Sequence, residues 1–558
     1  MKNKHTRDLY TALGEQICDT PWNVYPRPQM VRNSFFSLNG EWEFSSNGYT
    51  TEKITVPFAP ESLLSGIHRY MGSCPELYYK KEFSLPEDFN KGRVILHFGA
   101  VDQCARVVIN GTSLETHFGG YLPFSFDITE YINDKNTVEV YVTDHLDAKI
   151  LPYGKQCRKR GGMWYTPISG IWQTVWLESV PKSYIKDISV TVGADFADIE
   201  TIGAKDGYIS LLDKEYPLCN GKAHIKIDSP HLWSPSDPFL YRFEAVCGED
   251  RIKSYFALRT IEAKEVDGIS RLCLNGKPFF FHGLLDQGYF SDGIFTPSSS
   301  EEYENDILTA KSLGFNTLRK HIKIEPEVFY YLCDKHGMIV FQDMVNNGSY
   351  SFLRDTALPT LGLKRKNDRR THKNKHSRKA FTEEMIKTVK HLKNHPCICY
   401  WTIFNEGWGQ FLGSETYKTL KEIDATRPID TASGWFVGCD SDIESPHVYF
   451  KPFEMQKSDK PVVLSEFGGY AYKIPDHSYN LKKTYGYKIL NSREEFTDAL
   501  EALYKNEIIP AKNAGLSGAI YTQLSDVEDE TNGFVTYDRK VCKVDKERML
   551  AIAKALEI

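Results

Sequence analysis

Two glutamates of this chain have the sequence contexts in which a carboxylate does chemistry. Glu406 ends the run W-T-I-F-N-E at residues 401–406, and Glu466 ends the run P-V-V-L-S-E at residues 461–466. Continuous apolar runs of this kind are typical of parallel strands buried on both faces. Enzymes built on closed parallel barrels carry their catalytic groups at the C-terminal ends of such strands. Two carboxylates that face one sugar ring can hydrolyse a glycosidic bond.

The neighbours of the two glutamates predict different roles for them. Glycoside hydrolysis needs one protonated carboxyl for the leaving oxygen and one ionised carboxylate that attacks the anomeric carbon or activates water. Asn405 precedes Glu406, and an amide there can bond a sugar hydroxyl, so we assign Glu406 as the general acid/base. Arg319 ends another apolar run, and its charge would keep Glu466 ionised as the nucleophile. A separation of about 5–5.5 Å would give retention and one of roughly 6.5–9.5 Å inversion; the sequence leaves both open.

The elements that must position these groups are strands alternating with amphipathic helices in the C-terminal half. Eight βα units in about 285 residues have the count and size of a (β/α)8 barrel. This arrangement puts Glu406 at the end of the fourth strand and Glu466 at the end of the seventh. The predicted strands are residues 279–285, 316–319, 338–344, 397–405, 429–435, 445–449, 461–466 and 517–524.

The N-terminal half is predicted to be all β. Short runs of β-formers separated by turns such as Asn39-Gly40 indicate a jelly-roll sandwich over residues 1–180. A shorter β stretch over residues 181–264 has the size of an immunoglobulin-like sandwich. The fold class is therefore multidomain β plus α/β, and the TIM barrel occupies residues 265–558.

Composition excludes several classes of protein. The 558 residues, with 41% hydrophobic and 25% charged side chains, indicate a folded protein of several domains. A net charge of -6 predicts no general affinity for nucleic acid, and the basic residues 364–379 lack interleaved aromatics, so we interpret them as a solvated loop. No secretory apolar region, apolar run of membrane-spanning length or Cys-x-x-Cys is present, which predicts a cytoplasmic protein with reduced thiols, no membrane association and no cofactor.

Five motifs of the sequence stand out together. They are L-N-G-E-W-E-F at 38–44, W-Y-T-P-I-S-G-I-W-Q-T-V-W-L-E at 164–178, L-N-G-K-P-F-F-F-H-G at 274–283, F-N-E-G-W-G at 404–409 and L-S-E-F-G-G at 464–469. These motifs resemble those of glycoside hydrolase family 2, the family of β-galactosidases, β-glucuronidases and β-mannosidases, and the resemblance covers nearly the whole chain. It implies a retaining double displacement, with Glu406 as acid/base and Glu466 as nucleophile.

Further side chains are predicted to bind the substrate. The resemblance implies that Arg319 and His321 face the site, although the family spacing is Arg-x-x-His, and that Tyr449 lies near the nucleophile. The remaining candidates stand at or near the ends of predicted strands, where they could contact sugar hydroxyls or a sugar face, and core packing is the alternative for each. They are Asn405, His447, Asp286, Trp435, Gln523 and Asp526.

Departures from the family leave the sugar open. Residues 343–349 (D-M-V-N-N-G-S) lack the Glu-x-His of magnesium-binding members, so no metal site is expected. Residues 527–535 (V-E-D-E-T-N-G-F-V) lack the Asn-x-Lys with which β-glucuronidases hold the substrate carboxylate. We expect a retaining exo-β-glycosidase, most like a β-galactosidase, that acts on an oligosaccharide or glycoside.

Three alternatives remain beside this expectation. The chain could be a β-glucuronidase, or a family 2 enzyme specific for arabinose or galactofuranose units. It could also be a carbohydrate-binding protein without catalysis, although the presence of both glutamates argues against that. Assembly into a homo-oligomer is open.

Overall fold

The computed structural model describes residues 5–48, 50–360, 363, 367–434 and 438–558. Two β domains precede a parallel eight-stranded barrel, which confirms the predicted fold class. In the part of the chain that is described, no helix combines the length and the apolar character needed to cross a membrane.

The first domain is an antiparallel sandwich of two sheets. Alternation builds its core: along Asn136–Thr143, every second residue is buried, and Val138, Val140 and Val142 pack between the sheets. In order across the sheets, the strands are Glu52–Val56, Gly40–Ser46, Glu76–Phe83, Asn136–Thr143, Cys104–Ile109 and Thr112–Phe118 in one, and Phe36–Ser37, Val175–Val180, Arg93–Phe98 and Phe124–Asp127 in the other.

The second domain is a smaller sandwich with its own core, which includes Ile188, Ile199, Ile225 and Phe243. Its sheets contain Ile185–Val192, Phe196–Gly203 and Lys222–Lys226, and Lys214–Pro217, Tyr208–Leu211, Tyr241–Cys247 and Asp250–Phe256. A three-stranded antiparallel sheet then leads into the barrel through Ile261–Val266, Ile269–Leu274 and Lys277–Pro278.

All eight predicted barrel strands are present, with shifted ends. We number them β1 (Phe281–Asp286), β2 (Thr317–Lys320), β3 (Ile339–Asp343), β4 (Ile398–Asn405), β5 (Ile429–Ser433), β6 (His447–Val448), β7 (Val463–Gly468) and β8 (Gly518–Thr522). The ladder runs β5-β4-β3-β2-β1-β8-β7-β6, so the barrel is nearly closed. The gap between β5 and β6 is bridged by the bond from Gly434 N to Ser445 O at 2.8 Å.

The helices around the barrel are Ser300–Ser312, Glu327–His336, Leu358–Thr360, Lys375–Leu392, Gly413–Ile423, Arg493–Leu503, Ile509–Asn513 and Lys546–Leu556. The helix predicted for residues 381–392 begins earlier, at Lys375, because the Asn374 side chain accepts bonds from the amides of His376 and Ser377 and caps it. The basic stretch 364–379 is thus partly helical, and its residues 364–366 lie outside the described residues.

A buried arginine joins the two β domains. Arg32 donates two bonds of 2.8 Å to Asp250 in the second domain and one of 3.0 Å to Glu178 in the first. All three side chains are almost fully buried. Burial raises the pKa of Glu178, but the bond with His97 and the charges of Arg32 and Arg27 lower it to about 2.

We predict that Arg32→Met destabilises the protein by about 3–5 kcal/mol, because it leaves the buried Asp250 without its cation and removes one of the cations beside the buried Glu178. The pKa of folded Glu178 lies below its ordinary value, so the stabilisation is complete above about pH 4.3 and is lost as the pH falls toward 2. Urea titration at several pH values measures both effects. In the matched control Arg69→Met, which removes the exposed pair with Glu52, we expect a change of at most about 1 kcal/mol. Equal effects of the two substitutions would contradict the prediction.

Candidate active site

The two glutamates singled out in the sequence face each other at the mouth of the barrel. One oxygen of Glu406, one oxygen of Glu466 and a ring nitrogen of His447 all lie within 4.8 Å of one another. His447 Nδ1 is 2.9 Å from Glu406 Oε1 and 3.7 Å from Glu466 Oε2. The side chains of Glu406 and Glu466 are 12% and 7% exposed, so both carboxylates border the same sheltered space.

The backbone after β4 turns Asn405 and Glu406 toward the same space. Glu406 adopts a left-handed conformation with φ of 55°, which costs a non-glycine residue roughly 1–2 kcal/mol. Strain of this kind is concentrated at functional sites. The packing is tight: at Gly434, a Cβ atom would lie 3.3 Å from Glu406 Cγ and 3.2 Å from His447 Nδ1.

Arg319, at the end of β2, is the hydrogen-bonding centre of the site. Its guanidinium is 1% exposed and lies 3.1 Å from Glu466 Oε1 and 3.0 Å from Asp343 Oδ1. It also donates to Asn405 Oδ1 at 2.8 Å and to Ser433 Oγ at 3.0 Å. Since Ser433 bonds the same Asn405 oxygen, the amide NH2 group of Asn405 is directed away from these partners.

His447 is held between the arginine and the acid/base candidate. Its Nε2 lies 3.3 Å from Arg319 Nη1. Its Nδ1 lies 2.9 Å from Glu406 Oε1, so the ring bridges Arg319 and the acid/base candidate.

The surroundings of Glu466 keep its carboxylate ionised. Burial raises the pKa of Glu466, but the neighbouring His447, Arg319 and His321 and the bond from Tyr449 lower it to about 2. The Tyr449 hydroxyl donates to Glu466 Oε2 and lies 3.0 Å from Thr522 Oγ1 at the end of β8. A charged, partly buried carboxylate of this kind is suited to nucleophilic attack.

Strand alternation separates His321 from Lys320. Arg319 and His321 are two residues apart and share a face, and His321 Nδ1 lies 2.9 Å from Asp343 and 4.0 Å from Glu466 Oε1. Lys320 points away and bonds Asp286 at 2.5 Å. The other Asp286 oxygen accepts from Gly288 N at 2.9 Å. The structure therefore places His321 beside the glutamate pair, whereas the oxygens of Asp286 bond Lys320 and Gly288.

The predicted residues after β8 act as supports. Gln523 donates to Glu530 Oε2 at 3.1 Å and to Asn532 Oδ1 at 2.8 Å. Asp526 accepts from Lys543 Nζ at 2.6 Å and from Gly533 N at 2.9 Å. Trp435, the candidate for a sugar face, lies outside the described residues.

Sequence reasoning missed a long loop of the first domain that reaches the barrel mouth. Residues 144–169 leave the sandwich, and within them the Tyr153 hydroxyl donates to Gly348 O at 2.7 Å. The Trp164 ring lies 5.1 Å from that of Trp408, and Arg160 lies 3.2 Å from both Glu528 and Asp529. The only signal was a connection too long for an ordinary hairpin, with basic and aromatic residues in it.

Sheltered, paired carboxylates at the ends of β4 and β7 are the machinery of a glycoside hydrolase. The chain belongs to glycosyl hydrolase family 2. Its TIM barrel domain is matched by residues 265–540, its sugar binding domain by residues 40–181, and a further family 2 domain by residues 181–259.

Curated relatives carry two different activities in their names. A beta-galactosidase of Thermoanaerobacter pseudethanolicus is 27% identical over 425 residues, which are 70% of this chain and 53% of the relative. A beta-glucuronidase of Streptococcus agalactiae is 23% identical over 519 residues, which are 80% of this chain and 84% of the relative. The chain thus spans about half the length of the first relative and most of the second.

Solved structures share the fold over nearly the full length. The beta-D-glucuronidase of Dictyoglomus thermophilum has a TM-score of 0.72 at 19% identity and covers 95% of this chain and 98% of its own. The beta-galacturonidase of Eisenbergiella tayi, bound to galacturonate, has a TM-score of 0.67 at 19% identity and covers 94% and 97%.

We predict that Tyr449→Phe moves the acid limb of the pH profile of kcat/KM to higher pH by roughly one unit. The change removes a bond that lowers the pKa of Glu466, and a bond to a charged group contributes about 1.5–3 kcal/mol. In the matched control Tyr303→Phe, which removes a tyrosine bond to the buried Glu325, the acid limb should stay in place. A Tyr449→Phe profile that overlays the wild type would contradict this account.

Proposed function

We propose that this chain is a retaining exo-β-glycosidase in which Glu466 is the nucleophile and Glu406 the general acid/base. The observation that carries the proposal is the approach of their carboxylate oxygens to within 4.8 Å. This approach suits the carboxyl separation of about 5–5.5 Å used for retention and leaves too little room for the water of an inverting enzyme.

The reaction proceeds in two displacements. A Glu466 oxygen attacks the anomeric carbon while Glu406 gives its proton to the departing glycosidic oxygen, and a covalent glycosyl ester forms. Glu406, now ionised, removes a proton from water, and that water displaces Glu466 from the anomeric carbon. The second inversion restores the β configuration.

An exo mode of attack is supported by the walls around the pair. The loop over residues 144–169 and the acidic residues after β8 are tied together by Arg160 and by the bond from Thr166 N to Glu528 at 2.8 Å. A site closed on this side accommodates a chain end better than the middle of a polysaccharide.

For the sugar, we propose a neutral glycone, as in a β-galactoside. The loop after β8 presents Glu530, which is 4% exposed, where a uronate-specific site would need a cation. The relative named beta-galactosidase favours the same glycone. A β-uronide is the second candidate, favoured by the relative named beta-glucuronidase.

The test is hydrolysis of an aryl β-glycoside panel that contains galactoside, glucoside, glucuronide, galacturonide, arabinofuranoside and galactofuranoside. We expect the galactoside to be hydrolysed fastest, with the β anomer as first product by NMR. We expect Glu466→Gln to lower kcat by at least roughly 10³-fold, as removal of a nucleophile does. Glu406→Ala should leave the rate of the first step nearly unchanged for substrates with good leaving groups, because these groups depart without a proton.

Azide then separates the two roles. Azide should restore activity to Glu466→Ala and yield an α-glycosyl azide, because it attacks the anomeric carbon of the bound substrate directly. It should restore activity to Glu406→Ala and yield a β-glycosyl azide, because it attacks the glycosyl enzyme. The matched control is Glu384→Gln, a buried glutamate on the outer helix Lys375–Leu392, which should keep wild-type kcat/KM. No cleavage of any substrate, or an α product from the wild type, would overturn the proposal.

A further inference from the structure

Lys155 is a buried lysine without a partner. It belongs to the loop of the first domain and is 8% exposed. Within the described residues, its ammonium makes no hydrogen bond or ion pair, and its one contact of note is the Trp164 ring, whose centre lies 5.6 Å away. Other buried lysines are paired: Lys320 bonds Asp286 and Lys543 bonds Asp526.

Burial of most of the Lys155 side chain removes part of the hydration of its ammonium, and no protein acceptor among the described residues replaces it. A ligand oxygen within reach of the ammonium would supply the missing bond. The contact with the Trp164 ring replaces only part of the lost hydration, since a cation–π contact contributes roughly 0.5–2 kcal/mol.

The backbone around Lys155 is fixed at the mouth of the barrel. The Lys155 carbonyl accepts from Tyr165 N at 3.1 Å, and the amides of Tyr153 and Gly154 donate to Asn346 O at 3.1 and 3.2 Å. Burial raises the pKa of Glu530 to about 7, and the positive charge of Lys155 opposes this rise. Tyr165 donates from its amide to Lys155 O and from its hydroxyl to Glu530 Oε2, so Lys155 lies beside the loop after β8.

Glu530 has an oxygen to spare on the same wall. The hydroxyl of Tyr165 and the amide of Gln523 both donate to Oε2. Within the described residues, Oε1 accepts no bond. The charge of Glu466 adds to the effect of burial in raising the pKa of Glu530.

We propose that Lys155 and Glu530 are a specificity-determining pair for a neutral glycone. The Lys155 ammonium donates to one sugar hydroxyl, and Glu530 Oε1 accepts from a neighbouring hydroxyl. The first domain thereby supplies one wall of the glycone pocket of the barrel. The inference rests on the proposed glycosidase function and deepens it, because it assigns the residues that select the sugar. A carboxylate bound to Lys155 would also meet Glu530, which argues for hydroxyl groups on the ligand.

The test compares Lys155→Met and Lys155→Arg with wild type on an aryl β-galactoside and on its 2-, 3-, 4- and 6-deoxy analogues. We expect Lys155→Met to lower kcat/KM roughly 10- to 100-fold, as loss of a bond from a charged group does, and Lys155→Arg to restore part of it. On the one analogue that lacks the contacted hydroxyl, wild type and Lys155→Met should be equal. On the analogue that lacks a neighbouring hydroxyl, wild type and Glu530→Gln should have equal kcat/KM. The control is Lys159→Met, an exposed lysine of the same loop, which should act like wild type.

Three results would overturn the inference. They are unchanged kcat/KM in Lys155→Met, an equal loss on every analogue together with a lowered Tm, and a wild-type preference for the glucuronide or galacturonide that Lys155→Met abolishes. Calorimetric binding of D-galactose to wild type and Lys155→Met needs no turnover. If Glu466→Gln kept full activity, the proposed mechanism would fail. Weaker galactose binding by Lys155→Met than by wild type would still support the Lys155–Glu530 pair. Equal galactose binding by the two proteins would refute the pair.

Discussion

The bonds of one buried guanidinium hold the site together. Arg319 leaves β2 and reaches groups at the ends of four other strands: Asp343 of β3, Asn405 of β4, Ser433 of β5 and Glu466 of β7. A planar fork with five donors can hold several acceptors at fixed angles, which a lysine ammonium cannot do. This one side chain therefore ties Glu466 to the ends of β3, β4 and β5.

The same guanidinium separates the chemical states of the two carboxylates. It bonds Glu466 directly, whereas Glu406 contacts Nδ1 of His447, whose Nε2 faces Arg319. The positive charge next to Glu466 helps to keep that carboxylate ionised, as the proposed nucleophile must be.

Much of the fold and of the candidate site could be predicted from the sequence, because the eight barrel strands are apolar runs buried on both faces and the candidate groups stand at or near strand ends. Arg319 follows from its position at a strand end and His321 from the resemblance to family 2, whereas the pairing of Lys320 with Asp286 needed the position of Asp286 in space. The loop that brings Lys155 to the barrel could not be predicted. The position of this loop depends on contacts between domains, such as that between Trp164 and Trp408. No local pattern in residues 144–169 identifies these contacts.

The account makes Glu466 the residue that bonds covalently to the sugar, and trapping that bond tests it most directly. A 2-deoxy-2-fluoro-β-galactoside with a dinitrophenolate leaving group slows both steps but forms the glycosyl enzyme faster than it breaks down. Mass spectrometry of the digested protein should find one fluorosugar, on the peptide that contains Glu466. Label on Glu406, or turnover with no label and with an α product, would contradict the account.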